Sequence, residues 1–158
     1  MSSRTINCDL ERSAVGLGLR KIAQWIDASD FTDGGGTTGT LTMTEQLPAG
    51  SFYIGCKATV KSAFDDDTTC VLTVGKTSGE DEFSDGTSIS LAAVADVGQE
   101  GEAPLEFLAS DTSVYLVATS ASDFTDVAEG DGKMLLELFY LSTEVELVDN
   151  YPDKYNSN

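Results

Sequence analysis

The sequence predicts an all-β protein, an antiparallel β-sandwich of jelly-roll-like form with extended N- and C-terminal arms. Three observations point there. Short runs alternate apolar and polar residues with period two, as in Thr40-Leu41-Thr42-Met43-Thr44 and Glu144-Val145-Glu146-Leu147. Turn chemistry separates these runs: Gly34-Gly35-Gly36, Pro48-Ala49-Gly50, Asp85-Gly86, the stretch from Gly98 to Gly101, and Gly130-Asp131-Gly132. Helical periodicity is scarce, and β-branched residues, threonine above all, fill the faces that would meet water. The chain has 158 residues and is 41% hydrophobic, enough for one domain with a core.

Taken in order, residues 1–12 have mixed charge and only Ile6 and Leu10 as apolar anchors, which reads as an arm. From Ala14 to Ile26, Val15, Leu17 and Leu19 alternate with Gly16 and Gly18, an extended pattern. A short helix from Ser13 is the alternative, because Leu19, Ile22 and Ile26 also fit helical spacing. The run 52–61 puts Phe52, Ile54, Cys56, Ala58 and Val60 on one face and Tyr53, Lys57, Thr59 and Lys61 on the other. The Asp65-Asp66-Asp67 loop is expected to close a hairpin between 52–61 and 69–75. Further strands are expected at 88–91, 105–108, 113–119, 134–141 and 144–147. The run 134–141 is apolar on both faces except at Glu137 and should be central and well covered. Residues 149–158, with Pro152, read as a tail ordered against a partner. The expected organisation is 1–28 as N-terminal arm and first strand, 29–148 as sandwich, and 149–158 as tail.

Ser29-Asp30-Phe31-Thr32-Asp33 recurs identically as Ser122-Asp123-Phe124-Thr125-Asp126. A glycine-rich turn and then a strand follow each copy. Two equivalent corners, one per sheet, are expected: each phenylalanine plugs an end of the sandwich while the flanking aspartates and threonine bond turn amides.

Composition removes several functions. With 9 basic and 27 acidic residues the net charge is −18, against a phosphate-tracking nucleic-acid binder or a protein docked on anionic lipid. Histidine is absent, which removes histidine-activated nucleophiles and histidine metal ligands. The carboxylates sit in runs in glycine-rich loops, where nothing raises a catalytic acid's pKa, so no enzyme is expected. Three cysteines cannot complete a thiolate zinc site. Asp30 with Asp33, Asp65 to Asp67, and Glu129 with Asp131 lack the EF-hand spacing, and they read as solvated loops. Neither cofactor nor metal is expected. Gly34-Gly35-Gly36 leads to a strand without a lysine, so it is a turn and not a phosphate loop. No run approaches the roughly 20 apolar residues of a membrane span, and no apolar leader follows Met1. Cys8, Cys56 and Cys70 are odd in number, and the expected setting is synthesis in a reducing cytoplasm, with Cys56 and Cys70 as unpaired core thiols.

The stretch from Leu47-Pro48-Ala49-Gly50-Ser51 to Leu72-Thr73-Val74-Gly75, preceded by Asp30-Phe31-Thr32 and Thr38-Gly39-Thr40-Leu41-Thr42 and followed by Asp81-Glu82-Phe83, resembles small virion proteins of tailed bacteriophages. Asp123-Phe124-Thr125 leading into an apolar strand fits as well, so the resemblance spans about residues 29–141. It implies a β-sandwich structural subunit of a virus particle, on the capsid or in the tail.

The function expected is a capsid decoration or cement protein located on the virion. Its partners would be the major capsid protein and itself, with a trimer suiting local threefold sites. The expected docking residues are the basic and apolar groups near the ends of the chain: Arg4, Arg12, Arg20, Lys21, Trp25, Ile26, Tyr151 and Tyr155. Four of the nine positive charges fall within the first 21 residues. Trp25 either caps the core or anchors an intersubunit contact. A tail or fibre subunit with host-surface binding, a carbohydrate-binding module and a calcium-dependent adhesion module are the competing readings.

Overall fold

The structure, a computed structural model, describes residues 18–64, 69–84 and 89–142. The arms, the Asp65–Asp67 loop and the strand expected at 144–147 lie outside these residues, with Cys8, Arg4, Arg12, Tyr151 and Tyr155.

Among the described residues, ten strands form two antiparallel sheets. In chain order they are β1 (Leu19–Asp27), β2 (Thr32–Asp33), β3 (Thr38–Thr42), β4 (Ser51–Ser62), β5 (Cys70–Gly75), β6 (Ile89–Ser90), β7 (Ala95–Glu100), β8 (Glu106–Leu108), β9 (Tyr115–Ser120) and β10 (Lys133–Ser142). The first sheet runs β1-β10-β4-β7 with β8 also beside β4, and the second runs β2-β3-β9-β5-β6. The chain crosses repeatedly from one sheet to the other, and the two four-strand orders 1-10-4-7 and 3-9-5-6 are those of a jelly roll. A single 3₁₀ turn (Ala28–Asp30) and one short helix, α1 (Phe124–Ala128), complete the described residues. No helix among them is long and apolar enough to cross a membrane.

The core lies between the sheets. Ile22 and Ile26 of β1, Met134, Leu136 and Leu138 of β10, and Cys56, Ala58 and Val60 of β4 face Leu72 and Val74 of β5 and Leu116 and Ala118 of β9. Fully burying each large aliphatic side chain is worth about 1.5–3 kcal/mol. Gln24 shares the inward parity of β1, and its side-chain oxygen accepts from the Thr44 amide at 2.9 Å.

The first strand, expected within 1–28, is β1, which pairs with β10 along all nine residues. Several expectations change. The stretch 52–61 and the stretch 69–75 form no hairpin, because β4 and β5 belong to opposite sheets. The Gly98–Gly101 stretch, read as a turn, is mostly strand β7. Strict alternation fails along β4: Phe139 pairs with Gly55 and Tyr140 with Tyr53, so Ile54 is the extra residue of a β-bulge. The bulge switches parity. Tyr53 joins Cys56, Ala58 and Val60 in the core, and Phe52 is left on the outer face.

The two copies of the repeated pentapeptide build one corner together. Phe31 and Phe124 are both buried, with ring centroids 5.9 Å apart at 66°, and Phe64 adds a second edge-on contact to Phe31 at 6.3 Å. Asp33 accepts from the Gly35 amide at 2.8 Å, Asp123 caps α1 by accepting from the Thr125 amide at 3.1 Å, and Thr125 Oγ1 donates across to Asp33 at 2.9 Å. The plugging role and the amide bonding are therefore as expected, but the copies meet at one place. Their backbones also differ. The first copy enters the β2–β3 hairpin, whose turn uses Gly35 at φ 76° and Gly36 at φ 109°, and the second winds into α1.

Candidate functional site

In an antiparallel sheet, side chains on one face line up in rows across paired strands. On the outer face of the first sheet the row nearest the start of β1 is Leu19–Leu141–Phe52–Phe107, one large apolar side chain from each of four strands. At about 4.8 Å per strand it extends roughly 14 Å. Leu19 is 62% exposed and Phe107 56%. The Phe52 and Phe107 rings lie 5.2 Å apart, tilted by 52°. Beside this row, Leu19, Ile54 and Phe139 line a shallow depression of about 500 Å³ that runs to Gly98 and Glu100 of β7. Leu105, just before β8, holds a left-handed backbone at φ 53° and is also exposed. That conformation is strained for a leucine, and it precedes the strand that presents Phe107.

The next rows are polar. Ala23, Glu137, Lys57 and Gly98 are opposite one another across the sheet. Glu137 is nearly buried and ion-paired with Lys21, which explains a lone carboxylate in the middle of an apolar strand. Further along, Trp25 and Leu135 pair, and Lys133 sits 5.8 Å from the Trp25 ring centre while bonding Asp27 at 2.8 Å. Thr59 donates to Asp96 at 2.5 Å and Lys57 approaches it at 3.6 Å; the Thr59 hydrogen bond first, and then the lysine, hold this carboxyl below its usual range.

Charge divides between the strands of the first sheet and the loops and turns outside them. The strands of the first sheet carry five basic and five acidic residues and are neutral. The other described residues carry twelve acidic groups and one basic one, Lys76. A neutral face with exposed apolar rows on an otherwise acidic body has the character of a protein-docking surface.

The expected site residues separate accordingly. Arg20 and Lys21 lie at the start of β1 on this sheet, and Trp25 is 50% exposed on its outer face, so it does not cap the core. Ile26 is 0% exposed on the opposite face of β1, because it lies one residue from Trp25 in a strand; it belongs to the fold and offers nothing to a partner. Phe52, Phe107, Leu141 and Leu19 were not expected at a surface. Alternation past an unseen bulge assigned Phe52 to the core. In the case of Phe107 a signal existed: its neighbour Leu108 is buried, and only one of two adjacent strand residues can point inward.

Among the described residues no group of three or more aspartate, glutamate or cysteine side chains is arranged to hold a metal ion. Cys56 and Tyr53 are buried side by side, and both give hydrogen bonds to the Phe83 carbonyl, at 3.5 and 2.6 Å. Burial pushes the Cys56 thiol up to about 11 and raises the Tyr53 phenol further still above its ordinary value. Neither group is a nucleophile at neutral pH. Cys70 is buried and, like Cys56, forms no disulfide among the described residues.

No protein-family model matches the chain, and no curated protein does. Among solved structures, that of the infectious bursal disease virus Gt strain aligns over 84% of this chain and 43% of the other, with 14% identity and a TM-score of 0.27. This chain thus spans less than half of that one, and a similarity of this size supports no conclusion about function.

Proposed function

We propose that this chain is a structural subunit of a virus particle, a decoration or cement protein that binds the major capsid protein of a tailed phage and stabilises the shell by non-covalent contact. The observation that carries this reading is the neutral outer face of the first sheet with its apolar row Leu19–Leu141–Phe52–Phe107, set against an acidic remainder. Two further points support it. The jelly roll is an architecture used by viral capsid proteins, although lectins and cupins share it. The virion-protein resemblance covers the same β-rich region.

Docking works through area. A standard interface removes about 800 Å² from each partner, and apolar area contributes about 25 cal/mol per Å² before association costs. The exposed aromatic and aliphatic groups of the apolar row and Trp25 are the anchors. The acidic excess lies outside the strands of this sheet, mostly in loops, where it favours solubility and disfavours contact with DNA.

The test is co-sedimentation of the full chain with expanded empty shells of its virus. Binding should saturate and raise the melting temperature of the shells. Phe107→Asp should weaken binding by about tenfold or more without unfolding the protein, since Phe107 is already half-exposed. Absence of wild-type binding at micromolar concentration refutes the reading, and antibody label confined to one vertex of the particle moves the subunit to the tail.

A further inference from the structure

Sheet edges invite pairing, and proteins usually shorten, bend or cover them. In the second sheet both edge strands, β2 and β6, have only two residues. The first sheet ends differently. β1 is a nine-residue edge strand with an unbroken register to β10, and no described residue pairs with its other side. At the opposite end β7 presents six residues, four of them exposed.

Hydrogen-bond phase shows which backbone groups are on offer. The Ala28 amide donates to the Gly132 carbonyl, and these two residues continue the β1–β10 register. Even-numbered residues of β1 therefore point their N–H and C=O toward β10, and Leu19, Lys21, Ala23 and Trp25 point theirs outward. The Asp27 amide fits this phase, because it too leaves β10 and is capped by the Asp30 carboxylate at 2.9 Å. Carrying the same alternation through β10 and β4 leaves the backbone groups of Asp96, Gly98 and Glu100 facing outward from β7.

The two edges match each other. The strand order β1-β10-β4-β7 is antiparallel throughout, so β7 of one copy continues the sheet antiparallel to β1 of the next. Two registers set outward groups against outward groups on the same face and pair all six residues of β7; the one that brings unlike charges together places Lys21 opposite Glu100, Ala23 opposite Gly98 and Trp25 opposite Asp96. Two small residues meet at the centre. β1 carries Arg20 and Lys21 against Asp27, whereas β7 carries Asp96 and Glu100 and no base. Charge thus favours β1 with β7, and it opposes β1 with β1 or β7 with β7.

We propose that this protein associates with a second copy of itself head-to-tail, strand β1 of one protomer adding to strand β7 of its neighbour in the register that opposes Lys21 to Glu100. Such a contact is heterologous. It closes into a ring or continues as an open chain. This inference stands apart from the virion reading, since self-association is measured on the pure protein and shell binding is not involved.

The experiment is light scattering and sedimentation velocity on the full chain and two edge variants. Ala23→Pro removes one outward N–H from β1, and Gly98→Pro removes one from β7; neither amide serves a bond inside its own sheet. Wild type should form oligomers. Each variant alone should be a monomer, and an equimolar mixture should give a 1:1 dimer, because each retains the edge the other lacks. Should a proline variant fail to fold by circular dichroism, Glu100→Lys at an exposed position gives the same reading: a loss of association of about tenfold from a reversed charge. A monomeric wild type overturns the proposal. So does an assembly that Ala23→Pro abolishes and Gly98→Pro leaves intact, since that is self-pairing of β1, and so does Glu100→Lys associating like wild type.

Discussion

Gly39 lies in β3 directly beneath the Phe124 ring. A Cβ added there would stand 2.1 Å from Phe124 Cε1 and 2.3 Å from Cζ, well inside contact distance. Its backbone is ordinary strand, so the requirement is for space and not for an unusual φ. The ring has nowhere to go. It is fully buried and held edge-on against Phe31, which is itself against Phe64. Gly39→Ala must push the ring by more than 1 Å or part β3 from α1, and overpacking of this kind costs about 1–3 kcal/mol, here about 3 because three aromatic rings share the corner. At roughly 2–4 °C per kcal/mol the melting temperature should fall by about 6–12 °C. Urea unfolding followed by circular dichroism measures the loss. Gly98→Ala is the internal control: its nearest neighbour would be the Cys56 carbonyl oxygen at 3.9 Å, and its stability should stay within about 0.5 kcal/mol of wild type. Phe124→Leu in the Gly39→Ala background should recover part of the loss by making room. If Gly39→Ala unfolds at the same urea concentration as wild type, the close approach that joins the repeated segments to β3 is wrong.

Two further outcomes follow from buried polar groups. Stability should be complete below about pH 9 and fall between about pH 9 and 11: the unfolded chain releases the Cys56 proton near its ordinary value, the folded chain only near 11, and Tyr53 is raised in the same direction. Urea midpoints at pH 7, 9 and 10.5 check this, and Cys56→Ala should flatten the decline. Lys21→Ala should cost about 1–3 kcal/mol by leaving Glu137 without its partner, whereas Glu137→Leu should be nearly neutral; the reverse order in urea unfolding would mean that the pair does not hold the carboxylate.

Most strands were legible because alternation is a local signal. A residue in a strand faces the side opposite its neighbour whatever the rest of the chain does, so the runs at 40–44, 70–74, 113–119 and 134–141 could be read from the side chains alone. The same holds for the glycine turn at 34–36 and for the plugging role of Phe31 and Phe124. The acidity, the missing histidine and the buried thiols of Cys56 and Cys70 were likewise legible from residue identity.

Pairing is not local, and there the residues alone were silent. Whether 52–61 folds back on 69–75 or crosses to the other sheet depends on which strands compete for each edge, and β10 and β7 take both sides of β4. The bulge at Ile54 exists because of the register against β10, and it reverses the facing of Phe52 and Tyr53. The exposed apolar row has the same origin. Leu19, Leu141, Phe52 and Phe107 are far apart in sequence, and they form one apolar row only because four strands are placed side by side. Composition supplied the apolar groups, but an exposed patch is a property of neighbours, and neighbours across a sheet are set by long-range hydrogen bonding that no stretch of the chain encodes by itself.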